Sequence, residues 1–230
     1  FGLMPIFWAT GRGADVMQPM AIPSVGGMVV SILVTIFIVP CMFCAVDKSY
    51  QGSAPDPDEP ARIAAAVKAL GASYAVVTSV TRDDLEDGGS RQFLKTIRAV
   101  KAVAGARIEV LVPDFGGSRD SLEDVMEGAP DVFGHNTETV RRLYPSVRPQ
   151  ADYDRSLGIL RRAKLLRHSV LVKTGLMVGL GESGDEVLET IKDIRDSGCD
   201  ILTIGQYLRP GDNCLPVART VLPAEFEMYA

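Results

Sequence analysis

The sequence predicts an α/β protein built on a parallel β-sheet that closes, fully or in part, into a barrel. From residue 47 onward, short apolar runs rich in β-branched residues alternate regularly with segments of helical periodicity. Apolar strands that are separated by helices are typical of parallel sheets with covered faces. The chain has 230 residues, of which 47% are hydrophobic, and this is enough to bury one sizeable core.

Capping residues and the spacing of apolar residues predict the helices and strands along the chain. The first helix is predicted to begin at Asp58 and to stop at Gly71. Ser183, with Glu186 three residues later, is a capping-box signal for the last long helix, which should run to residue 197. Further helices are predicted over residues 91–104, 118–126 and 153–166. Strands are predicted over residues 74–80, 107–112, 132–135, 170–178 and 201–205.

The first 46 residues differ from the rest in charge. They carry only Arg12 and Asp15, and residues 16–46 carry no charge. This apolar run exceeds the roughly 20 residues that a helix needs to cross a bilayer, so a transmembrane helix is one interpretation. The β-branched stretch at residues 29–39 fits one buried strand of the barrel equally well.

This change in composition predicts two domains, an apolar segment at residues 1–46 and an α/β domain at residues 47–230. The net charge of -5 argues against nucleic-acid binding, which needs clustered Lys and Arg to neutralise phosphates. Four unevenly spaced cysteines do not form the framework of a secreted disulfide-rich domain. We therefore expect a cytoplasmic protein, with membrane anchorage through residues 16–46 as the alternative.

Candidate functional residues gather where the predicted strands end. In parallel α/β folds, the loops after the strands share one edge of the sheet and carry the working residues. Here those loops contain residues 41–44, 82–89, 113–117, 135–138, 179–182 and 206–210. Taken alone, the Cys41 and Cys44 pair is compatible with a redox dithiol, half of a zinc site or two core cysteines.

Six ordered blocks of sequence resemble lipoyl synthase, a family of radical S-adenosylmethionine enzymes. The blocks are TSVTRDDLEDGG at residues 78–89, IEVLVPDF at 108–115, DVFGHNTETV at 131–140, VRPQADY at 147–153, KTGLMVGLGE at 173–182 and LTIGQYLRP at 202–210. The resemblance covers about residues 43–227. It implies a partial (β/α)6 barrel of the radical S-adenosylmethionine type.

The resemblance also implies an activity, cofactors and partners. Lipoyl synthases insert two sulfur atoms at C6 and C8 of a protein-bound octanoyl group. They use S-adenosylmethionine and a [4Fe-4S] cluster that is held by the three cysteines of a CxxxCxxC motif, and they consume an auxiliary [4Fe-4S] cluster as the sulfur source. The implied partners are an octanoylated carrier protein or lipoyl domain, and an electron donor such as flavodoxin or ferredoxin.

Individual site residues follow from the matched motifs. Cys41 and Cys44 match two of the three ligands of the radical-generating cluster, and Phe43 matches an aromatic residue near the adenine. The turn whose backbone faces the methionine amino group is matched by Asp87, Gly88 and Gly89. Any tight strand-to-helix turn uses a double glycine in the same way, so a purely structural role for these glycines stays open.

Further contacts to the cofactor are implied on the later strands. Glu109 and Lys173 are charged residues in otherwise apolar strands, where a charge is costly to bury, and Asn136 follows the strand at 132–135. The superfamily's GxIxGxxE pattern, with Met in place of Ile, is matched by Gly175, Met177, Gly179 and Glu182. Glu182 is alternatively a stabiliser of the N-terminus of the following helix.

The sequence departs from the family at the cluster ligands. Phe37 occupies the first position of the CxxxCxxC motif, and a phenylalanine side chain cannot bind iron. No cysteine precedes Cys41, so ligands of the auxiliary cluster are also missing, and we expect a barrel domain that is truncated at its C-terminus. A barrel enzyme that uses carboxylates and lysine without iron is disfavoured by the paired cysteines.

Residues 5–40 resemble a different family, the last transmembrane region of heavy-metal resistance-nodulation-division efflux pumps. This resemblance accounts for both the missing charge and the missing cysteines, with a join near residues 41–46. The sequence therefore predicts a lipoyl synthase that is impaired by missing cluster ligands. The alternative is an inactive, membrane-anchored chimeric fragment.

Overall fold

The computed structural model of the chain describes residues 54–230. Within this range, five parallel strands form one sheet in the order β1-β2-β3-β4-β5. The strands are β1 (Tyr74–Thr78), β2 (Arg107–Leu111), β3 (Val132–Gly134), β4 (Leu171–Val178) and β5 (Ile201–Gln206). Sequential parallel strands that alternate with helices form a (β/α) barrel wall, which confirms the predicted fold class. The segment predicted as a strand or a transmembrane helix lies outside the described residues.

Helices separate the strands as the caps predict. They are α1 (Glu59–Ala69), α2 (Ser90–Ala104), α3 (Arg119–Glu127), α4 (Tyr144–Val147), α5 (Tyr153–Leu166), α6 (Gly184–Asp196) and α7 (Pro223–Tyr229). Ser183 and Glu186 form the predicted capping box of α6. Asp58 precedes α1, but its side chain accepts no capping hydrogen bond because its backbone already has helical angles. None of the helices in the described range is long and apolar enough to cross a membrane.

Within residues 54–230, the helices pack against one face of the sheet and not against the other. On the covered face, Ile108, Val110, Phe133 and Val172 pack into one core with helical residues such as Ile97 and Leu160. Strand side chains alternate between the two faces, so the partners in one register row lie on the same face. One row of the opposite face joins Val76, Glu109, Val132 and Leu171. Val76 and Leu171, at its two ends, are 56% and 46% exposed, and we call this surface the open face.

Candidate functional site

A charged cluster lies on the open face. Lys173 Nζ lies 2.8 Å from Glu109 Oε1, and the Tyr74 hydroxyl donates a hydrogen bond of 2.5 Å to Glu109 Oε2. Glu109 is only 6% exposed, so the pairing with Lys173 compensates for burying its carboxylate. Burial and the hydrogen bond to Glu109 raise the pKa of Tyr74 to about 12. Glu109 and Lys173 are predicted from the sequence as separate site residues. Tyr74 is not, although the alternation of side chains along β1 puts it on the same face.

Asn136 reaches the same face through a β-bulge at the end of β3. His135 N donates to Lys173 O, and Glu138 N donates to Gly175 O. Three residues on the β3 side therefore oppose two residues on β4, which is the signature of a bulge. Glu138 has φ +69°, a left-handed angle that is uncommon for a residue other than glycine.

The bulge brings Asn136 against Gly175 of β4. A Cβ atom at Gly175 would lie 2.8 Å from Asn136 Oδ1, so the close approach requires glycine at this position. No side-chain atom of Asn136 hydrogen-bonds to any residue in the range 54–230. Its carboxamide therefore offers both a donor and an acceptor to a ligand on the open face.

The loop between β4 and α6 is organised by Glu182. Its carboxylate is 5% exposed and accepts hydrogen bonds from Gly179 N, at 2.5 Å, and from Leu180 N, at 2.9 Å. A Cβ atom at Gly179 would lie 2.3 Å from Gln206 Nε2 and 2.7 Å from Arg219 O. Glu182 thus stabilises the loop that precedes α6, whereas the N-terminus of α6 is capped by the separate capping box.

The Asp87, Gly88 and Gly89 turn forms the start of α2. The Asp87 carboxylate accepts hydrogen bonds from Gly89 N, at 3.0 Å, and from Arg91 N, at 3.2 Å. Gly88 and Gly89 have φ +59° and +87°, which glycine adopts without strain. These contacts give the turn a structural role, and its role toward the methionine amino group stays a prediction.

The predicted metal ligands Cys41 and Cys44, together with Phe43, lie outside the described residues. In the part of the chain that the structure covers, no group of three or more His, Cys, Asp or Glu side chains is placed to hold a metal ion. Cys199 is half-buried, and burial raises the pKa of its thiol. Cys214 is exposed.

Two family models match this chain. Residues 39–194 match the family model of the Radical SAM superfamily, and residues 1–47 match the model of the AcrB/AcrD/AcrF family. The first match covers more than half of the chain, and the chain therefore belongs to the radical SAM superfamily. The second match confirms the resemblance of the N-terminal segment to efflux pumps.

Three relatives that are similar to this chain are lipoyl synthases. The chain is 52% identical over 189 residues to a lipoyl synthase of Caldanaerobacter subterraneus subsp. tengcongensis, a match that covers 82% of this chain and 66% of the relative. It is 54% identical over 190 residues to a lipoyl synthase of Rubrobacter xylanophilus, covering 82% of this chain and 59% of the relative. For a Thermus thermophilus lipoyl synthase the identity is 48% over 206 residues, with 89% and 64% covered. The matches thus span about three fifths to two thirds of these relatives.

A solved structure shares the fold. The crystal structure of methylornithine synthase superimposes with a TM-score of 0.55 at 17% sequence identity, and the match covers 68% of this chain and 45% of that protein. At this identity the similarity concerns the fold alone. It agrees with the parallel strand order of the described residues.

Proposed function

We propose that this chain is a lipoyl synthase, which inserts two sulfur atoms at C6 and C8 of a protein-bound octanoyl group. The observation that carries the proposal is the identity of 52% over 189 residues to a known lipoyl synthase. The proposed partners are an octanoylated carrier protein or lipoyl domain, and flavodoxin or ferredoxin as the electron donor. A cytoplasmic location follows from the same proposal.

The open face is the proposed binding site for S-adenosylmethionine. The carboxamide of Asn136, which packs against Gly175, suits a ligand with many hydrogen-bonding groups, as a nucleoside joined to an amino acid has. Glu109 and Lys173 add one charge of each sign on the same face, opposite to the charges of the ligand's ammonium and carboxylate groups. In this superfamily S-adenosylmethionine supplies a 5′-deoxyadenosyl radical when it is bound to a reduced [4Fe-4S] cluster. Gly179, Glu182 and the Asp87–Gly89 turn would shape the edge of this site.

A methyl group at Gly175 should block this site. In Gly175→Ala, the new Cβ would meet Asn136 Oδ1 and displace the carboxamide, so we expect about tenfold or weaker binding of S-adenosylmethionine. Isothermal titration calorimetry on the full chain measures the effect. Gly205→Ala is the matched control. Gly205, in β5, lies on the same face of the sheet as Gly175, and no atom lies within 4 Å of the position of an added Cβ. Equal affinity of the two variants would place the ligand elsewhere.

The radical-generating cluster does not fit this chain as it stands. Cys41 and Cys44 supply two thiolates, but the first ligand position of the motif is occupied by Phe37. Loss of a residue that only supports a metal ligand typically costs 10–100-fold in metal affinity or activity. We therefore propose that the chain is impaired in radical formation.

Restoring the third ligand should restore radical formation. After anaerobic reconstitution with iron and sulfide and addition of a reductant, Phe37→Cys should release at least about 100-fold more 5′-deoxyadenosine than the unsubstituted chain. Chromatography of the released nucleoside provides the measurement, and Phe37→Ser controls for loss of the ring alone. Equal release by the chain with Phe37 and by the Cys variant would contradict the proposed impairment.

The second candidate is an inactive, membrane-anchored chimeric fragment. It is favoured by the match of residues 1–47 to an efflux family and by the meeting of the two family matches at residues 39–47. The same pair of matches supports the division into an apolar segment, residues 1–46, and a barrel domain, residues 47–230. This candidate predicts no release of 5′-deoxyadenosine from either the unsubstituted chain or Phe37→Cys, so the reconstitution experiment separates the two candidates.

A further inference from the structure

Two side chains from one short helix hold the backbone of the β3 bulge. Arg148 Nη1 donates a hydrogen bond of 2.8 Å to Asn136 O, and the Tyr144 hydroxyl donates a bond of 2.6 Å to Thr137 O. Tyr144 is the first residue of α4 and Arg148 directly follows the last, and Arg148 N also donates to Tyr144 O. The Arg148 guanidinium carbon lies 5.8 Å from the centre of the Tyr144 ring, within the range of a cation-π interaction.

The bulge needs such support because its conformation is strained. Glu138 has φ +69°, and a residue other than glycine persists at such an angle only where its surroundings fix it. The remaining backbone groups are fixed from the side of β4: Thr137 N donates to Thr174 Oγ1, and Glu138 N donates to Gly175 O. The Asn136 carboxamide, in contrast, makes no hydrogen bond to the residues that the structure describes.

The Arg148 guanidinium is directed toward the protein backbone. A charged donor to a part-buried carbonyl makes one of the stronger kinds of hydrogen bond. Tyr144 is 4% exposed and packs edge-on against Tyr153 with ring centres 5.2 Å apart, so the helix that carries both donors is itself held by α5. The position of Asn136 therefore depends on contacts that lie behind the open face.

We propose that Arg148 is a positioning residue for the ligand site, and that Tyr144 assists it. By fixing the carbonyl of Asn136, Arg148 keeps the Asn136 carboxamide against Gly175 and directed at the open face. This inference rests on the proposed function, because the ligand whose binding reports on it is S-adenosylmethionine.

The test compares ligand binding and thermal unfolding of full-length variants. Arg148→Ala should bind S-adenosylmethionine about tenfold more weakly than the unsubstituted chain, since it loses one charged hydrogen bond that orders Asn136. Arg148→Lys should recover part of this loss, because an ammonium group also donates to a carbonyl. Arg98→Ala is the matched control, as Arg98 is exposed and pairs with Glu127 of α3.

A double-mutant cycle separates positioning from general stabilisation. If Arg148 acts through Asn136, then Arg148→Ala should have little further effect on affinity in the Asn136→Ala background. Additive losses, or equal affinities of Arg148→Ala and Arg98→Ala, would overturn the proposal.

Hydrogen exchange tests, without any ligand, whether Arg148 fixes the backbone of the β3 bulge. The backbone amides of residues 136–138 should exchange faster in Arg148→Ala than in Arg98→Ala, and unchanged exchange would also overturn the proposal. If the unsubstituted chain binds no S-adenosylmethionine, the proposed site fails on that result. The exchange rates then decide the role of Arg148 independently.

Discussion

Replacing Glu182 with alanine should lower the free energy of unfolding by about 2–6 kcal/mol. The buried carboxylate accepts hydrogen bonds from two backbone amides, Gly179 N and Leu180 N. Removal of the acceptor leaves these donors buried without a partner, at a cost of about 1–3 kcal/mol each. Urea-induced unfolding at pH 7, followed by circular dichroism, measures the loss.

Two further variants show whether the cause is local. Glu182→Gln keeps one carbonyl oxygen as an acceptor and should cost less than Glu182→Ala. Glu189→Ala removes an exposed carboxylate from α6 and should stay within about 0.5 kcal/mol of the unsubstituted chain. If all three variants unfold at the same urea concentration, the Glu182 contacts do not stabilise the loop.

Acidification should destabilise the barrel domain through His135. This side chain is 1% exposed, and its Nδ1 lies 2.9 Å from Val112 O while its Nε2 lies 3.2 Å from Ser156 Oγ. The first contact makes Nδ1 the donor, so Nε2 accepts from the serine hydroxyl and the ring is neutral. Burial lowers the pKa of His135 from 6.5 to about 4.

The charged neighbours of His135 add smaller effects. Arg148 and Arg155 lower its pKa, whereas Asp114 raises it. Because the folded state binds the proton less well than the unfolded state, stability is full above pH 6.5 and falls as the pH drops toward 4. The lowered pKa corresponds to a loss of about 3 kcal/mol over this window.

Unfolding free energies measured between pH 7 and pH 4 test this expectation. His135→Asn removes the titrating group. Between pH 7 and pH 4, the free energy of unfolding of this variant should therefore fall by about 3 kcal/mol less than that of the unsubstituted chain. His168→Asn is the control, because His168 is exposed after α5 and should leave the pH profile unchanged. A profile that is equally steep in His135→Asn would exclude His135 as the main acid-sensitive group.

Local signals in the sequence predict most of the secondary structure. The predicted helix at 153–166 has the same bounds as α5, and the predicted capping box is present at α6. Predicted strand ends were less accurate: β1 ends at Thr78 instead of residue 80, because its ladder with β2 ends where Thr78 pairs with Leu111. Periodicity and caps are properties of neighbouring residues, whereas the length of a strand depends on its partner.

Part of the candidate site could also be predicted from the sequence. The strand-end loops and the matched motifs selected Glu109, Asn136, Lys173 and Gly175, and the structure places all four on or against the open face. The spacing of Cys41 and Cys44 matches the cluster motif. Their role as metal ligands stays a prediction because both residues lie outside the described residues. The two family resemblances were also readable from the sequence and are confirmed by the matches.

By itself, then, the sequence determined the order and type of the elements, the two family resemblances and the substitution at Phe37. Only the tertiary structure decided how the selected side chains are used. The Glu109–Lys173 pair joins residues that are 64 positions apart, and the bulge at Asn136 exists only in the register of β3 against β4. The hydrogen bond from Arg148 to the Asn136 carbonyl likewise depends on where α4 packs. Such contacts arise from hydrogen bonds between distant segments, which leave no local pattern in the chain.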